Sequence, residues 1–434
     1  MLSSPEVISV VRVRRTFGWK FVSALAAGAM AASACHATGA RSSTSPSRPG
    51  TAEPSRSPSA SPPPREVALV EKMSVREKVG QLFMPTIPGS TPAAAGALVK
   101  RYHLGGVIYF PVNLRTPRQT AELSNGLQKV ALKNGGVPLV ISTDEEQGPV
   151  SRLPYITRFP SNKLLASTKH PDEDTRLAAK VTGEELKAVG INQDNAPDAD
   201  VNINPANPVI GVRSFGADPK KVAHLVGVAI DAYRATGVAV VAKHFPGHGD
   251  TATDSHTGLP IINHTKAQWE RVDAPPFKAA IDHHADVIMT AHIVVPGLEK
   301  SRDPATMSKT VLTGLLRDKL GFQGVTITDS LQMAGATIKF GPDEAAVRAV
   351  VAGADMLLMP RDLGSAYNAV LAAVRSGRVS KSRLDDAVTH IIRMKDERGM
   401  FHPYVDVAKA SHVIGSKEHR EAARKVAADV RSGG

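Results

Sequence analysis

The residues best suited to chemistry are acids and imidazoles that follow short apolar runs. The densest set is Lys243-His244-Phe245-Pro246-Gly247-His248-Gly249-Asp250, which continues to Asp254-Ser255-His256. His244 and His248 are four apart, as in a helical metalloprotease pair, but Pro246 and Gly247 between them preclude that helix. His248, Asp254 and His256 form a second candidate metal set. The Asp254-x-His256 spacing suits proton transfer as well. The carboxylate can accept from one imidazole nitrogen and fix the tautomer, leaving the other nitrogen free. A solvated histidine in a Gly/Thr-rich loop is the alternative reading. Asp329 ends the β-branched run Thr326-Ile327-Thr328. It is either the N-cap of the segment that follows or a nucleophile aimed into a pocket.

Something must bring these residues together. Beyond residue 66, eight short apolar runs (79–84, 106–110, 138–142, 190–192, 238–242, 286–290, 324–328 and 355–359) read as buried strands, the fourth being weak. Between them, 118–132, 172–189, 218–236, 266–283, 309–319, 344–352 and 365–376 carry apolar residues at helical spacing. Continuous apolar strands alternating with helices predict a parallel sheet covered on its outer face, here an α/β fold of the (β/α)8 TIM-barrel type. A doubly wound open sheet is the rival; no strand-linked G-x-G-x-x-G opens the body, which disfavours a nucleotide-binding version. A barrel places function just after its strands. Five of the eight runs deliver an ionisable residue there: Asp144, Lys243-His244, His292, Asp329 and Arg361.

The chain has 434 residues, one cysteine and a net charge of +12. A single cysteine excludes an internal disulfide framework. The charge first suggests a polyanion partner, but half of it lies in residues 1–65, which hold eight basic and two acidic residues. What remains is mild for the size of the body, and nucleic acid drops down the order. Residues 21–34 form an apolar run of 14 behind Arg12, Arg14, Arg15 and Lys20. That is shorter than the roughly 20 residues needed to span a bilayer and reads as an export signal, with Arg14-Arg15 also suiting the twin-arginine type. Nothing after Met84 reads as a membrane span. Residues 1–35 are therefore expected to be a signal peptide and 36–65 a Ser/Pro-rich disordered spacer. A catalytic domain over 66–400 and a helical extension over 401–434 would follow, with 418–430 as an amphipathic helix.

Several motifs together carry a resemblance. Asp144-Glu145-Glu146-Gln147-Gly148-Pro149-Val150-Ser151-Arg152, then Phe159-Pro160, Arg213-Ser214-Phe215-Gly216, the Lys243–Gly249 stretch and Thr328-Asp329-Ser330-Leu331 occur in the order of family 3 glycoside hydrolases. Asp254-Ser255-His256 resembles the β-N-acetylglucosaminidase branch. The similarity runs from about residue 73 to 430 and implies Asp329 as nucleophile and His256 as general acid/base oriented by Asp254. It further implies sugar contacts from Asp144, Arg213, Lys243 and His244, with Arg152 and His292 as further pocket members. No metal and no organic cofactor is implied; the partner is an oligosaccharide or glycoconjugate containing N-acetylglucosamine. Cys35, after Ala32-Ser33-Ala34, resembles a bacterial lipoprotein acceptor, implying an exported protein anchored to the outer face of the cell membrane.

Three departures stand out. Gln147 replaces a glycine, so a backbone with φ > 0 there would be strained. Asn195 and Asp198 stand where the family usually has Phe and Val, putting polar groups into an apolar layer. A retaining β-N-acetylhexosaminidase is the leading expectation. A β-glucosidase or glycoside phosphorylase of the same family, and a catalytically impaired sugar-binding lipoprotein, are the alternatives.

Overall fold

The computed structural model describes residues 64–255 and 257–433. The expected signal peptide, most of the spacer, Cys35 and His256 lie outside the described residues. Arg65, expected to end the spacer, instead opens a helix, Arg65–Lys72, tied to the body by an ion pair to Asp396 at 2.7 Å.

Eight parallel strands alternate with helices among the described residues: β1 (Phe83–Met84), β2 (Gly106–Ile108), β3 (Val140–Thr143), β4 (Gln193–Asp194), β5 (Ala239–Phe245), β6 (Val287–Thr290), β7 (Val325–Thr328) and β8 (Leu357–Leu358). β2 to β7 form one six-stranded sheet in chain order, and β1 pairs with β8. Single bridges, Thr86 to Ile108 and Ile327 to Met356, lie at the two seams. The fold is thus TIM-like, with a curled six-stranded sheet and a separate two-stranded piece instead of an unbroken eight-stranded ladder. At each seam the neighbouring strands share one bridge instead of a run of paired residues, which is where the ladder is interrupted. Met84, Ile108, Val140, Val241, Val287, Met289, Val325, Ile327 and Met356 pack in a cluster of their own. A larger core fills the remainder of the fold.

Three expectations are corrected. Residues 79–81 are helical, in Val75–Gln81, because Ser74 and Glu77 form a capping box that starts a helix ahead of the apolar run. The fourth strand falls on Gln193–Asp194, not 190–192, and is polar yet fully buried. The 266–283 segment breaks into Lys266–Val272 and Ala274–Asp282 at Asp273, just ahead of Pro275-Pro276. The C-terminal extension is helical, over Val407–Val413 and Lys417–Gly433. No helix among the described residues is long and apolar enough to cross a membrane.

Candidate active site

The carboxyl ends of the strands surround a cleft of about 490 Å³, lined among others by Asp144, Glu146, Arg152, Arg213, Lys243, His244, His248, Asp254 and Asp329. Lys243 and His244 are consecutive on β5, and side chains of a regular strand alternate faces. Both nevertheless line the cleft, and the β5–β6 register shifts between Lys243 and Phe245, an irregularity of the kind that re-aims side chains.

Asp329 follows β7 directly. Its backbone N–H donates to the Thr290 carbonyl at 3.1 Å, and its Oδ1 accepts from the Ser330 N–H at 2.7 Å. Burial opposes its ionisation, but His244, His292, the Ser330 N–H and Lys243 together hold the carboxyl below its ordinary value. A carboxylate that stays ionised and faces a cleft is equipped to attack. His292 sits behind it, fully buried, with Nε2 donating to the Ser330 carbonyl at 3.0 Å. It is a backing residue of the Asp329 turn and not part of the cleft wall.

Across the cleft, Asp144 accepts from Arg152 Nη2 at 3.3 Å and from Asn195 Nδ2 at 3.1 Å, with Lys243 Nζ 3.7 Å away. Glu146 is gripped by Arg213, at 2.7 and 2.8 Å, and by Lys243 at 2.5 Å. Burial alone would raise the Glu146 carboxyl, but Arg213 and Lys243 hold it far below the usual range. His244 Nδ1 lies 2.7 Å from Asp200 Oδ2, and Arg213 Nη2 lies 3.3 Å from His244 Nε2. Asp200 therefore orients the imidazole, as a carboxylate partner does for a functional histidine.

Asp198, Asp200 and His244 bring ligand-type atoms within 4.8 Å of one another, all buried. A cation already serves this set: Arg213 stands 3.9 Å from Asp198. Within the cluster, Asp200 orients His244. His248, from the other candidate metal set, has both ring nitrogens engaged, with Thr251 Oγ1 at 2.9 Å and Ser255 Oγ at 3.1 Å.

The structure thus brings Asp329, Asp254, Asp144, Arg152, Arg213, Lys243 and His244 to one cleft and places His292 behind it. Glu146, Asp200 and Asn195 were given no role from sequence. Asp200 lies in the connection beyond β4 and not directly at its end, so the strand-end rule that picks out Asp144 and Asp329 does not reach it. Glu146 lies inside the motif already singled out. Asn195, a polar departure in sequence, steadies Asp144 in the fold.

A polar cleft of acids, imidazoles and three ion-paired cations (Arg152, Arg213 and Lys243) lies at the carboxyl ends of a TIM-like parallel α/β sheet, the place where that fold carries its active sites. The chain belongs to glycosyl hydrolase family 3: residues 74–394 match the family's N terminal domain. It is 37% identical over 355 residues to Beta-hexosaminidase A of Pseudoalteromonas piscicida, covering 76% of this chain and 59% of that protein. The chain therefore spans less than two thirds of that relative's length. It is 33% identical over 355 residues to Beta-hexosaminidase LpqI of Mycobacterium tuberculosis, covering 78% of this chain and 88% of the relative. Among solved structures, a family 3 β-N-acetylglucosaminidase from Paenibacillus sp. matches with a TM-score of 0.79 at 40% identity, over 82% of this chain and 69% of the other.

Proposed function

We propose that this protein is a retaining glycoside hydrolase that releases non-reducing terminal β-linked N-acetylglucosamine. The observation that carries the reading is Asp329, held ionised at the end of β7 and facing the cleft that Asp144, Arg213, Lys243 and His244 also line. The relatives' names support the choice of sugar. Asp329 attacks the anomeric carbon and forms a glycosyl-enzyme as the leaving oxygen takes a proton; water then releases the sugar. His256 is the proposed proton donor, which then takes a proton from the attacking water. Its support is the Asp254-Ser255-His256 spacing together with the position of Asp254 on the cleft. An imidazole, with an unperturbed pKa of roughly 6.5, matches proton transfer near neutrality. Asp144, with Asn195 and Arg152 fixing its carboxylate, accepts from sugar hydroxyls.

The finer architecture belongs to this proposal as well: the eight strands act as one closed (β/α)8 barrel, the single bridges at the seams being its joints. So does the setting, an exported protein anchored through Cys35 outside the membrane, which the signal-like residues 1–35 support.

The test uses p-nitrophenyl β-glycosides of N-acetylglucosamine and of glucose, with and without phosphate. Release from the first only, indifferent to phosphate and reduced at least about a thousandfold by Asp329→Asn, is the expected result. Faster turnover with phosphate would make the enzyme a phosphorylase. Unchanged activity in the variant would remove Asp329 from the chemistry.

A further inference from the structure

The loop that carries Asp254 into the cleft has no regular secondary structure of its own between residues 251 and 255. An irregular segment stays placed only through specific hydrogen bonds, because it has no ladder or helical turn to hold it. Two of those bonds, one at each end of the loop, meet on one side chain. His248 is 1% exposed, and its ring spans the loop: Nδ1 reaches Thr251 Oγ1 at 2.9 Å and Nε2 reaches Ser255 Oγ at 3.1 Å. Thr251 is 0% and Ser255 1% exposed, so neither hydroxyl is offered water instead.

The hydrogen positions follow from the acceptors. The Thr251 hydroxyl donates to the His248 carbonyl at 3.2 Å, so it accepts from Nδ1–H. Nε2 is then the lone-pair nitrogen and accepts from the Ser255 hydroxyl. This arrangement needs a neutral ring with one donor and one acceptor, and burial drives the His248 pKa down to about 4, which keeps the ring neutral in ordinary buffers. The histidine is itself fixed from behind. Its N–H donates to Asp200 Oδ1 at 2.6 Å, the carboxylate that also orients His244, and its carbonyl accepts from Asn207 Nδ2 at 2.9 Å. On the far side of the loop, the Ser255 carbonyl accepts from the Gly335 N–H at 3.0 Å, in the segment that follows Asp329.

We propose that His248 is a positioning residue that ties both ends of the 251–255 loop to the end of β5, thereby fixing where Asp254, the proposed partner of the acid/base, meets the cleft. The inference rests on the hydrolase reading for its catalytic consequence, but its geometric half stands without it. His248 makes no proton transfer to substrate; it acts through Thr251 and Ser255.

Two measurements separate these halves. The first is amide hydrogen exchange of the full chain without substrate, comparing wild type with His248→Leu, His248→Gln and the double variant Thr251→Val/Ser255→Ala. Exchange across residues 250–258 should rise about tenfold or more in His248→Leu and in the double variant, with the strands unchanged. His248→Gln, whose amide keeps one donor and one acceptor, should recover most of the protection. The double variant keeps the histidine and guards against a folding defect of His248→Leu. Unchanged exchange in the double variant overturns the proposal, whether or not the protein cleaves any glycoside.

The second is kcat on a phenyl and a p-nitrophenyl β-N-acetylglucosaminide. The poor leaving group needs the proton more, so both loop-releasing variants should lose at least about tenfold more on phenyl than on p-nitrophenyl. His248→Gln should restore the ratio. Equal losses on both substrates, or a glutamine variant no better than leucine, overturn the catalytic half. Absence of turnover in wild type itself sinks the hydrolase reading and leaves the exchange result to decide the loop.

Discussion

Gln147 adopts φ of 65°, the left-handed region that its usual glycine would enter freely, so the strain expected from the sequence is present. What the sequence did not show is its compensation. The side-chain amide donates to Thr182 Oγ1 at 2.8 Å and to the Thr157 carbonyl at 3.2 Å, and accepts from the Phe159 N–H at 3.0 Å. Glycine offers none of these. Asn195 is reversed in meaning in the same way: read as a polar intruder, it is a donor that steadies Asp144. Substitutions are legible as departures, but their partners are distant in sequence and emerge only on folding. Glu145 carries a cost of its own. It is fully buried, burial raises its pKa to about 7, and its Oε1 has no hydrogen-bond partner among the described residues. An acid whose folded pKa lies above its unfolded value of 4.5 binds more protons folded than unfolded in that interval. Its contribution to stability is therefore full below about pH 4.5 and is lost as pH rises through about 7. Glu145→Gln keeps an oxygen for the Arg152 and Leu153 N–H groups and cannot ionise. Urea midpoints at pH 5 and 7.5 should show wild type losing more than the variant, by on the order of 3 kcal/mol. Parallel pH profiles would mean that Glu145 ionises freely in the fold.

Elements were legible where periodicity was long and ambiguous where it was short. The helices Pro117–Lys133, Pro171–Ala188 and Pro219–Thr236 fall close to their predicted ranges, because more than three turns of amphipathic pattern leave little choice. The run 79–84 misled because a short apolar stretch fits a buried helix end as well as a strand, and the deciding signal was the Ser74/Glu77 cap in front of it. β4 was displaced because its residues are polar, and strand propensity is silent about buried amides and acids that pair across a sheet. The connections after β4 and β5 pack against each other without a side chain between them. A Cβ on Gly249 would stand 1.9 Å from the Val201 carbonyl oxygen and 2.4 Å from its carbon. Both are backbone atoms, so no rotamer change relieves the clash. Gly249→Ala should push the two connections apart, cost about 2 kcal/mol or more of stability, and lower activity on both activated and poor substrates because His248 and Asp200 move together. A melting temperature equal to wild type would show that the loops have slack the packing does not suggest.

At the scale of the molecule, charge sorted by position dissolved the first impression of a polyanion-binding protein, and the strand–helix alternation carried the fold class. How the C-terminal extension bears on the site was not legible, since that depends on a contact more than 200 residues long in sequence. The helix Lys417–Gly433 buries Val426 against Phe159, Leu165, Ala178 and Val181. Beside it, His419 Nδ1 and the Gly415 N–H each lie 2.8 Å from Glu185 Oε1. The same fully buried carboxylate accepts from the Thr157 N–H at 2.8 Å and from its hydroxyl at 2.6 Å. Thr157 in turn takes the Gln147 amide, and Gln147 sits between Glu146 and Arg152 on the connection that presents Asp144. The extension is thus a brace on the Asp144 side of the cleft, reached through Glu185. Val426→Asp places a carboxylate in an apolar cluster and should cost about 2–4 kcal/mol. His419→Leu removes the tie to Glu185 together with the contact of Nε2 to Glu184 Oε2 at 3.2 Å, and should cost less, about 1–2 kcal/mol. If the brace positions Asp144, both variants should weaken binding of free N-acetylglucosamine several-fold by calorimetry, well below their melting temperatures, while leaving the leaving-group ratio that reports on the 251–255 loop untouched. Full sugar affinity in both variants would confine the helix to stability alone and cut the link from Glu185 to the cleft.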